Sequence, residues 1–284
     1  MKLLSDKILG FLRIAELGSV SRAAKAMGLA QPSLTKRLQL LESELEVKLT
    51  RRTPRGIELT SDGQNLFSTL RQIARVEEEY RKQNQQGQEG ALSGKVTIAG
   101  LSSQIHSVLI PVLGELLRSN PLVQIEFLTR QAKLLPSVLL RHEADFVIMD
   151  QVVEKKDIVS VELGKEKFVA VRHRSLRTRL DTFLDTDPED PITEKFFRIQ
   201  AKQKRMEYRR SYMHDTNGII SGLVNGLGCA ILEERLIPRN APLETIKGFR
   251  PLTVPVTLNY HQHAFYTKLQ LAVISEIKKA QKFF

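Results

Sequence analysis

"SVSRAAKAMGLAQPSLTKRL", residues 19–38, reads as two short helical runs broken at Gly28. Ser19 or Ser21 can cap the first run, and Ala23, Ala24 and Ala26 leave room for close packing. Gly28 suits the left-handed turn that ends such a run, and Pro32 fits the first turn of the next. Working outward, Ile8, Phe11, Leu12 and Ala15 recur at i, i+3, i+4 and i+7, the buried stripe of an earlier helix that starts after Ser5 and stops at Gly18. Leu34, Leu38, Leu41 and Leu45 give the core face of the third helix.

The other face of that third helix carries Pro32, Thr35, Lys36 and Gln39 at i, i+3, i+4 and i+7, with Gln31 beside them. Such cationic and hydrogen-bonding groups suit base edges in a DNA major groove, with Arg22 and Arg37 flanking them as phosphate contacts. Spacing alone leaves a solvated polar face equally open. "VKLTRRTPRGIELT", residues 47–60, adds two β-prone pieces around the turn Thr53-Pro54-Arg55-Gly56. A hairpin with Arg51, Arg52 and Arg55 near its tip makes a wing for a phosphate backbone or minor groove. Thr60 then caps a further helix. It continues over residues 62–82 with Leu66, Phe67, Leu70, Ile73, Ala74 and Tyr80 along one stripe, which an isolated helix could not bury, so a partner chain is expected to cover it. "QNQQGQEGALSG", residues 83–94, has the composition of a flexible linker.

Bulk properties bound the function. The 284 residues exceed what one core usually serves, so two or three domains are expected. The formal net charge of +11 favours polyanionic partners. The single cysteine, Cys229, excludes an intramolecular disulfide framework and fits a reducing, cytoplasmic setting, where its flanking glycines suggest a small buried residue. No apolar run of membrane-spanning length occurs, so no membrane association is expected. His261 and His263 alternate without a third ligand, so neither a metal nor another cofactor is expected. No nucleophile–base pair or phosphate-binding glycine loop points to an enzyme.

From Lys95 onward the pattern changes to α/β. "KVTIAG", "VQIEFL" and "DFVIM" read as strands separated by helices at 105–117 and 134–141, suggesting a mostly parallel sheet. "KFVAVRH", "KFFRIQA" and "MEYRRSYM" read as further strands, then a helix over 217–225, a strand "CAIL", a strand "VTLNYH" and a helix from Phe265 to about Lys282. Seven basic residues against one acid between Lys195 and Arg210 read first as a solvated strand face, with an anionic effector or a secondary DNA contact as alternatives. A ligand is expected outside the carboxyl ends of the strands. Ser102, Ser103 and Gln104 open a helix there and Thr129 and Arg130 follow the next strand, with Arg198, Thr216 and Asn217 facing from a second lobe. Hydroxyls and N–H groups at a helix start, with two arginines and no acid adjacent in sequence, favour an anionic ligand.

Residues 3 to about 80 resemble the N-terminal part of LysR-type transcriptional regulators, on the matching runs "F-L-x-I-A-E-x-G-S-V-S-R-A-A", "Q-P-S-L-T-K-R-L-x-x-L-E-x-E-L" and "L-T-R-R-T-P-R-G-I-x-L-T-x-x-G". The family usually has serine where this chain has Ala30, which removes a capping hydroxyl. "VNGLGCAIL" and the element order extend the resemblance to the family's effector-binding half. The resemblance implies an N-terminal all-α winged helix-turn-helix (1–60), with Ser21 and Ser33 joining the DNA contacts. A linker helix and hinge (61–90) would follow, pairing subunits through Leu66, Phe67, Leu70 and Ile73. A two-lobed α/β domain resembling periplasmic solute-binding proteins completes it (lobe I 91–164 and 245–284, lobe II 165–244). Only "KQKR" separates the strands at 196–201 and 207–213, where the family has a helix, so lobe II is expected to be trimmed, with these strands open to pairing as a hairpin. The implied partners are a pseudo-palindromic promoter site in double-stranded DNA, a small-molecule effector, RNA polymerase and further copies of the chain, as a homodimer or dimer of dimers. The alternative is a constitutive DNA-binding regulator whose lobes serve oligomerisation only.

Overall fold

The computed structural model describes residues 4–54, 56–86, 92–200 and 207–283. They form two compact units. The first holds residues up to Val96 with Asn120–Gln124 and His263–Ala272, and the second holds Thr97–Ser119, Ile125–Gln262 and residues from Val273.

In the first unit, α1 (Asp6–Leu17), α2 (Val20–Ala26) and α3 (Gln31–Leu45) are followed by strands β1 (Thr50–Thr53) and β2 (Gly56–Leu59) and the long helix α4 (Ser61–Gln86). Ser5 and Ser19 cap α1 and α2, and Gly18 and Gly28 turn left-handed after them with φ of 61° and 66°. Ala30 offers α3 no side-chain cap, as its missing hydroxyl dictates. Phe11, Ile14, Ala23, Leu34, Leu38 and Leu49 fill one core, whereas Leu45, at the end of the expected stripe, is 43% exposed.

Glu42 fixes the hairpin to α3. Its carboxylate is buried and accepts hydrogen bonds from Leu49 N (3.0 Å), Thr50 N (3.2 Å) and Lys48 Nζ (2.8 Å). Burial works against its charge, but these donors outweigh it and hold the carboxyl below the usual range. Thr60 caps α4 through Gly63 N and also donates to Lys48 O. Gly63 is required there, because a Cβ would lie 2.0 Å from Leu49 O.

The stripe on α4 is covered within the chain itself. Phe67 and Leu70 are each 6% exposed and sit in the core of this unit, while Leu66 and Ile73 pack against the same core and stay half-buried. The periodicity reported a buried face correctly, and the cover is the winged-helix core.

The rest of the chain runs β3 (Gly94–Gly100), α5 (Ser102–Gln104), a π-helical turn Ile105–Leu109, α6 (Ile110–Ser119), β4 (Val123–Thr129), α7 (Leu135–Leu140) and β5 (Phe146–Met149). Then come β6 (Ile158–His173), β7 (Thr182–Asp185), α8 (Ile192–Gln200), β8 (Arg209–Tyr212), α9 (Thr216–Val224), β9 (Ala230–Glu233), β10 (Leu243–Thr245), β11 (Leu252–His261) and α10 (Lys268–Lys278). The main sheet has the order β10-β6-β11-β5-β3-β4, with β9 also on β6. It is mixed rather than mostly parallel. β3 and β5 are parallel, while β6 and β11 pair antiparallel with each other and with their other assigned neighbours β5, β9 and β10. The chain leaves one lobe along β6 and returns along β11, which forces opposite directions.

Lobe II is not trimmed. The segment read as strand "KFFRIQA" is mostly α8, started by Asp190, whose Oδ1 accepts from Ile192 N at 2.9 Å. Thr193, Phe196 and Gln200 form its buried stripe at i, i+3 and i+7. The helix links β7 to β8, which are parallel, so no hairpin forms there. Gly228 permits a close crossing beside this pair, where a Cβ would stand 2.7 Å from Thr182 O.

Replacing Glu42 by Ala strands two buried N–H donors. We expect the variant to lose about 2–4 kcal/mol in urea unfolding of the first unit, and Lys48→Ala, at the exposed end of the same contact, less than about 1 kcal/mol. Equal losses would contradict the bracing role of the Glu42 carboxylate.

Candidate functional site

Two regions gather the residues singled out from the sequence. The first is the solvent face of α3 with the wing. Gln31, Pro32, Ser33, Lys36 and Gln39 are exposed, Thr35 and Arg37 are half-buried, and Arg51 and Arg52 are exposed on β1. Arg55 lies outside the described residues. Ser21 donates to Gln31 Oε1 at 2.8 Å, tying the first turn of α2 to the first turn of α3. Thr35 donates back to Gln31 O, Arg22 donates to Leu17 O, Arg37 approaches Asp6 at 3.9 Å, and Arg51 pairs with Glu58 on the facing strand at 2.9 Å. Lys36 and Arg52 make no ion pair among the described residues, so their charges stay available. An exposed cationic helix face, rigid because its reverse side is core, has the dimensions and polarity of a major-groove reader.

The second region is a cavity of about 490 Å³ in the α/β unit. Ser102, Ser103 and Gln104 line it from α5, Thr129 and Arg130 from the end of β4 and the loop after it, and Thr216 from α9. Arg198 and Asn217 do not line it. Arg198 is an exposed residue of α8, which the strand reading had turned toward the site, and Asn217 is exposed beside Thr216.

The sequence also missed most of the wall. Eight carboxylates line the cavity, Asp150, Glu166, Asp185, Asp187, Glu189, Asp190, Asp215 and Glu233, against Arg130 and Lys133. Several have fixed partners. Lys133 pairs with Glu189, Lys195 with Asp150 (3.4 Å), and Arg210 with Asp185. Arg210 also donates to the carbonyls of Asp187, Pro188 and Asp190, which holds the acidic loop in place.

The most buried pair is Glu166 on β6 and Glu233 on β9, each 4% exposed. Arg235 lies 2.7 Å from both. Gln104 Nε2 donates to Glu166 at 3.4 Å and Ser103 Oγ to Glu233 at 3.2 Å. Acids absent from the neighbourhood of 101–104 in sequence therefore stand next to it in space. Burial first, and then repulsion from Glu233, push the Glu166 carboxyl up to about 8 against the pull of Arg235. Burial likewise raises Glu233.

Elsewhere, Cys229 is fully buried and burial pushes its thiol up to about 11, which removes thiolate reactivity. His261 Nε2 hydrogen-bonds Leu139 O at 2.8 Å.

Residues 6–64 match the model of the bacterial regulatory helix-turn-helix protein, lysR family, and residues 89–282 match the LysR substrate binding domain. The HTH-type transcriptional regulator YofA of Bacillus velezensis is 29% identical over 164 residues, covering 58% of this chain and 56% of that protein. The chain thus spans just over half the length of that relative. Among solved structures, ArgP from Mycobacterium tuberculosis superposes with a TM-score of 0.79 at 15% identity, covering 99% of this chain and 98% of that one. Full-length LysG from Corynebacterium glutamicum, solved with bound effector Arg, gives 0.76 at 18% identity, covering 98% and 97%. At these identities the likeness is one of fold.

The unfolded Glu166 titrates near the usual 4.5 and the folded one near 8. The stability this difference contributes is complete below pH 4.5 and is lost as pH rises through about 8. Glu166→Gln, uncharged throughout, should flatten the fall in melting temperature between about pH 5 and 9. An unaltered slope in thermal denaturation would assign that fall to another group.

Proposed function

Because the chain belongs to the LysR family of helix-turn-helix regulators, we propose that it is a sequence-specific DNA-binding transcriptional regulator, not an enzyme, that responds to a small molecule held in the α/β cavity. The observation that carries the DNA reading is the free, exposed Lys36 on a helix whose other face is core, beside the wing arginines. In this reading Thr35 and Lys36 contact base edges, while Arg22 and Arg52 hold phosphates. A pseudo-palindromic promoter site calls for two reading heads, hence a homodimer or a dimer of dimers. Phe67 and Leu70 are buried within the chain, so pairing through α4 would draw on the half-buried Leu66 and Ile73. Ligand in the cavity shifts the balance between arrangements of the lobes and so the dimer's hold on DNA and its access for RNA polymerase. No helix among the described residues is long and apolar enough to cross a membrane. A cytoplasmic setting accords with DNA as partner.

The test uses the full chain and a site selected from random duplexes. Lys36→Ala should cost about 1–3 kcal/mol on the selected site and relax preference at the contacted base. Arg52→Ala should weaken every duplex alike and lower the slope of log affinity against log salt by about one. Anisotropy titrations on selected and random duplexes measure both. Equal losses on the two for Lys36→Ala would remove it from the base-reading set.

A further inference from the structure

Two buried carboxylates share one guanidinium at the cavity wall. Glu166 and Glu233 each lie 2.7 Å from Arg235, which leaves one negative charge uncompensated when both are ionised. Gln104, 1% exposed, lines the same cavity, and its carbonyl oxygen receives no hydrogen bond among the described residues. A buried acceptor left without a donor costs free energy until something supplies one. The remaining charges of the lining are mostly negative, eight carboxylates against two basic residues. Lys133 is paired with Glu189, while Arg130 donates through Nη1 to Thr129 O at 2.9 Å, a neutral acceptor that leaves its charge in place. An anion at this wall would meet carboxylates, whereas a cation would donate to the unfilled acceptor and, once Glu166 is ionised, balance the charge that Arg235 leaves over.

We propose that the cavity takes its small molecule through a cationic nitrogen, an ammonium or guanidinium, seated among Gln104, Glu166 and Glu233. The inference rests on the effector reading above and reverses the charge that the local sequence around Ser102 favoured. The expectation of an anion drew on the lack of acids adjacent to 101–104, and the fold supplies them from β6 and β9. Thr129, Thr216 and Arg130 also line the cavity and leave polar partners for a second group on the same molecule.

The pair also gives the site a pH signature. The groups facing Glu166 are Glu233 and Arg235, with Gln104 neutral beside it. Near neutrality Glu166 holds its proton, so a bound cation has to displace it. Affinity for a permanently charged ligand therefore climbs as pH rises through about 8.

The experiment is thermal denaturation and calorimetry of the full chain with putrescine, agmatine and L-lysine, against succinate and inorganic phosphate, each at about 10 mM. At least one cationic probe should raise the melting temperature by about 2–4 °C, with the anions giving less than about 1 °C. Glu233→Gln should weaken that probe at least about tenfold. Glu166→Gln, which copies the protonated native side chain and so preserves the fold, should remove the rise of affinity with pH. Retention of full affinity and of the pH rise in both variants overturns the proposal. So does a panel in which no cation shifts the protein. A larger shift from succinate or phosphate, lost in Arg130→Ala, overturns the cationic assignment while leaving the effector reading intact.

Discussion

The α/β unit depends on one ladder, the antiparallel pairing of β6 with β11 from Ile158 opposite His261 to Phe168 opposite Leu252. These strands pass through both lobes. Toward one end β11 pairs with β5, and toward the other β6 takes up β9 and β10. Register therefore decides which side chains meet. It shifts once, between Val256 and Thr257, where Gly164 adopts φ 154° in a region that side chains avoid. Since strand side chains alternate faces, an extra residue in one strand exchanges the inward and outward sets beyond it. Glu166 lies two residues past Gly164, so its burial follows from that irregularity. Without it a carboxylate flanked by Lys165 and Lys167 would be read as an ordinary surface residue.

The winged-helix unit has a smaller equivalent in Glu42. A charged residue on the buried side of α3 looks like a defect in an apolar stripe. It instead supplies acceptors for Leu49 N and Thr50 N, which the start of the hairpin cannot pair within so short a sheet. The hairpin and α3 are thereby held together, as the proposed joint reading of groove and backbone requires. Lys36 and Arg52 make no ion pair among the described residues, and neither is needed to hold the unit together.

Much of the first unit was legible in the sequence because its determinants are local. Ser5, Ser19, Gly18, Gly28 and Thr60 act within a few residues of themselves, and Leu34, Leu38 and Leu41 repeat within one helix. Failures came where the decisive partner is distant. The stripe on α4 announced a buried face, but Leu70 carries no mark of which chain buries it. α8 was misread because Phe196, Phe197 and Ile199 favour strands, while its helical face is carried by Thr193 and Gln200, polar residues that a search for apolar periodicity passes over. Gln200 is buried because it exchanges hydrogen bonds with the Arg250 backbone, fifty residues away.

The cavity is the extreme case, and its polarity follows from topology. Ser103 and Glu233 are 130 residues apart and Gln104 and Glu166 are 62 apart, yet each pair is hydrogen-bonded. A two-lobed fold builds its cleft from chain segments that the crossover strands bring together, so the character of the cleft is a property of the assembled set. Lobe I contributes hydroxyls, amides and Arg130. Lobe II and the crossover strands contribute most of the acids. Read alone, the loop at 101–104 and its neighbour Arg130 form an anion site. Joined to β6 and β9, the same loop lends its donors, Ser103 Oγ and Gln104 Nε2, to protein carboxylates. What remains for a ligand is the acceptor side of those groups, and an acceptor surface selects a donor. The charge preference of the site is thus set by which protein groups consume its donors first.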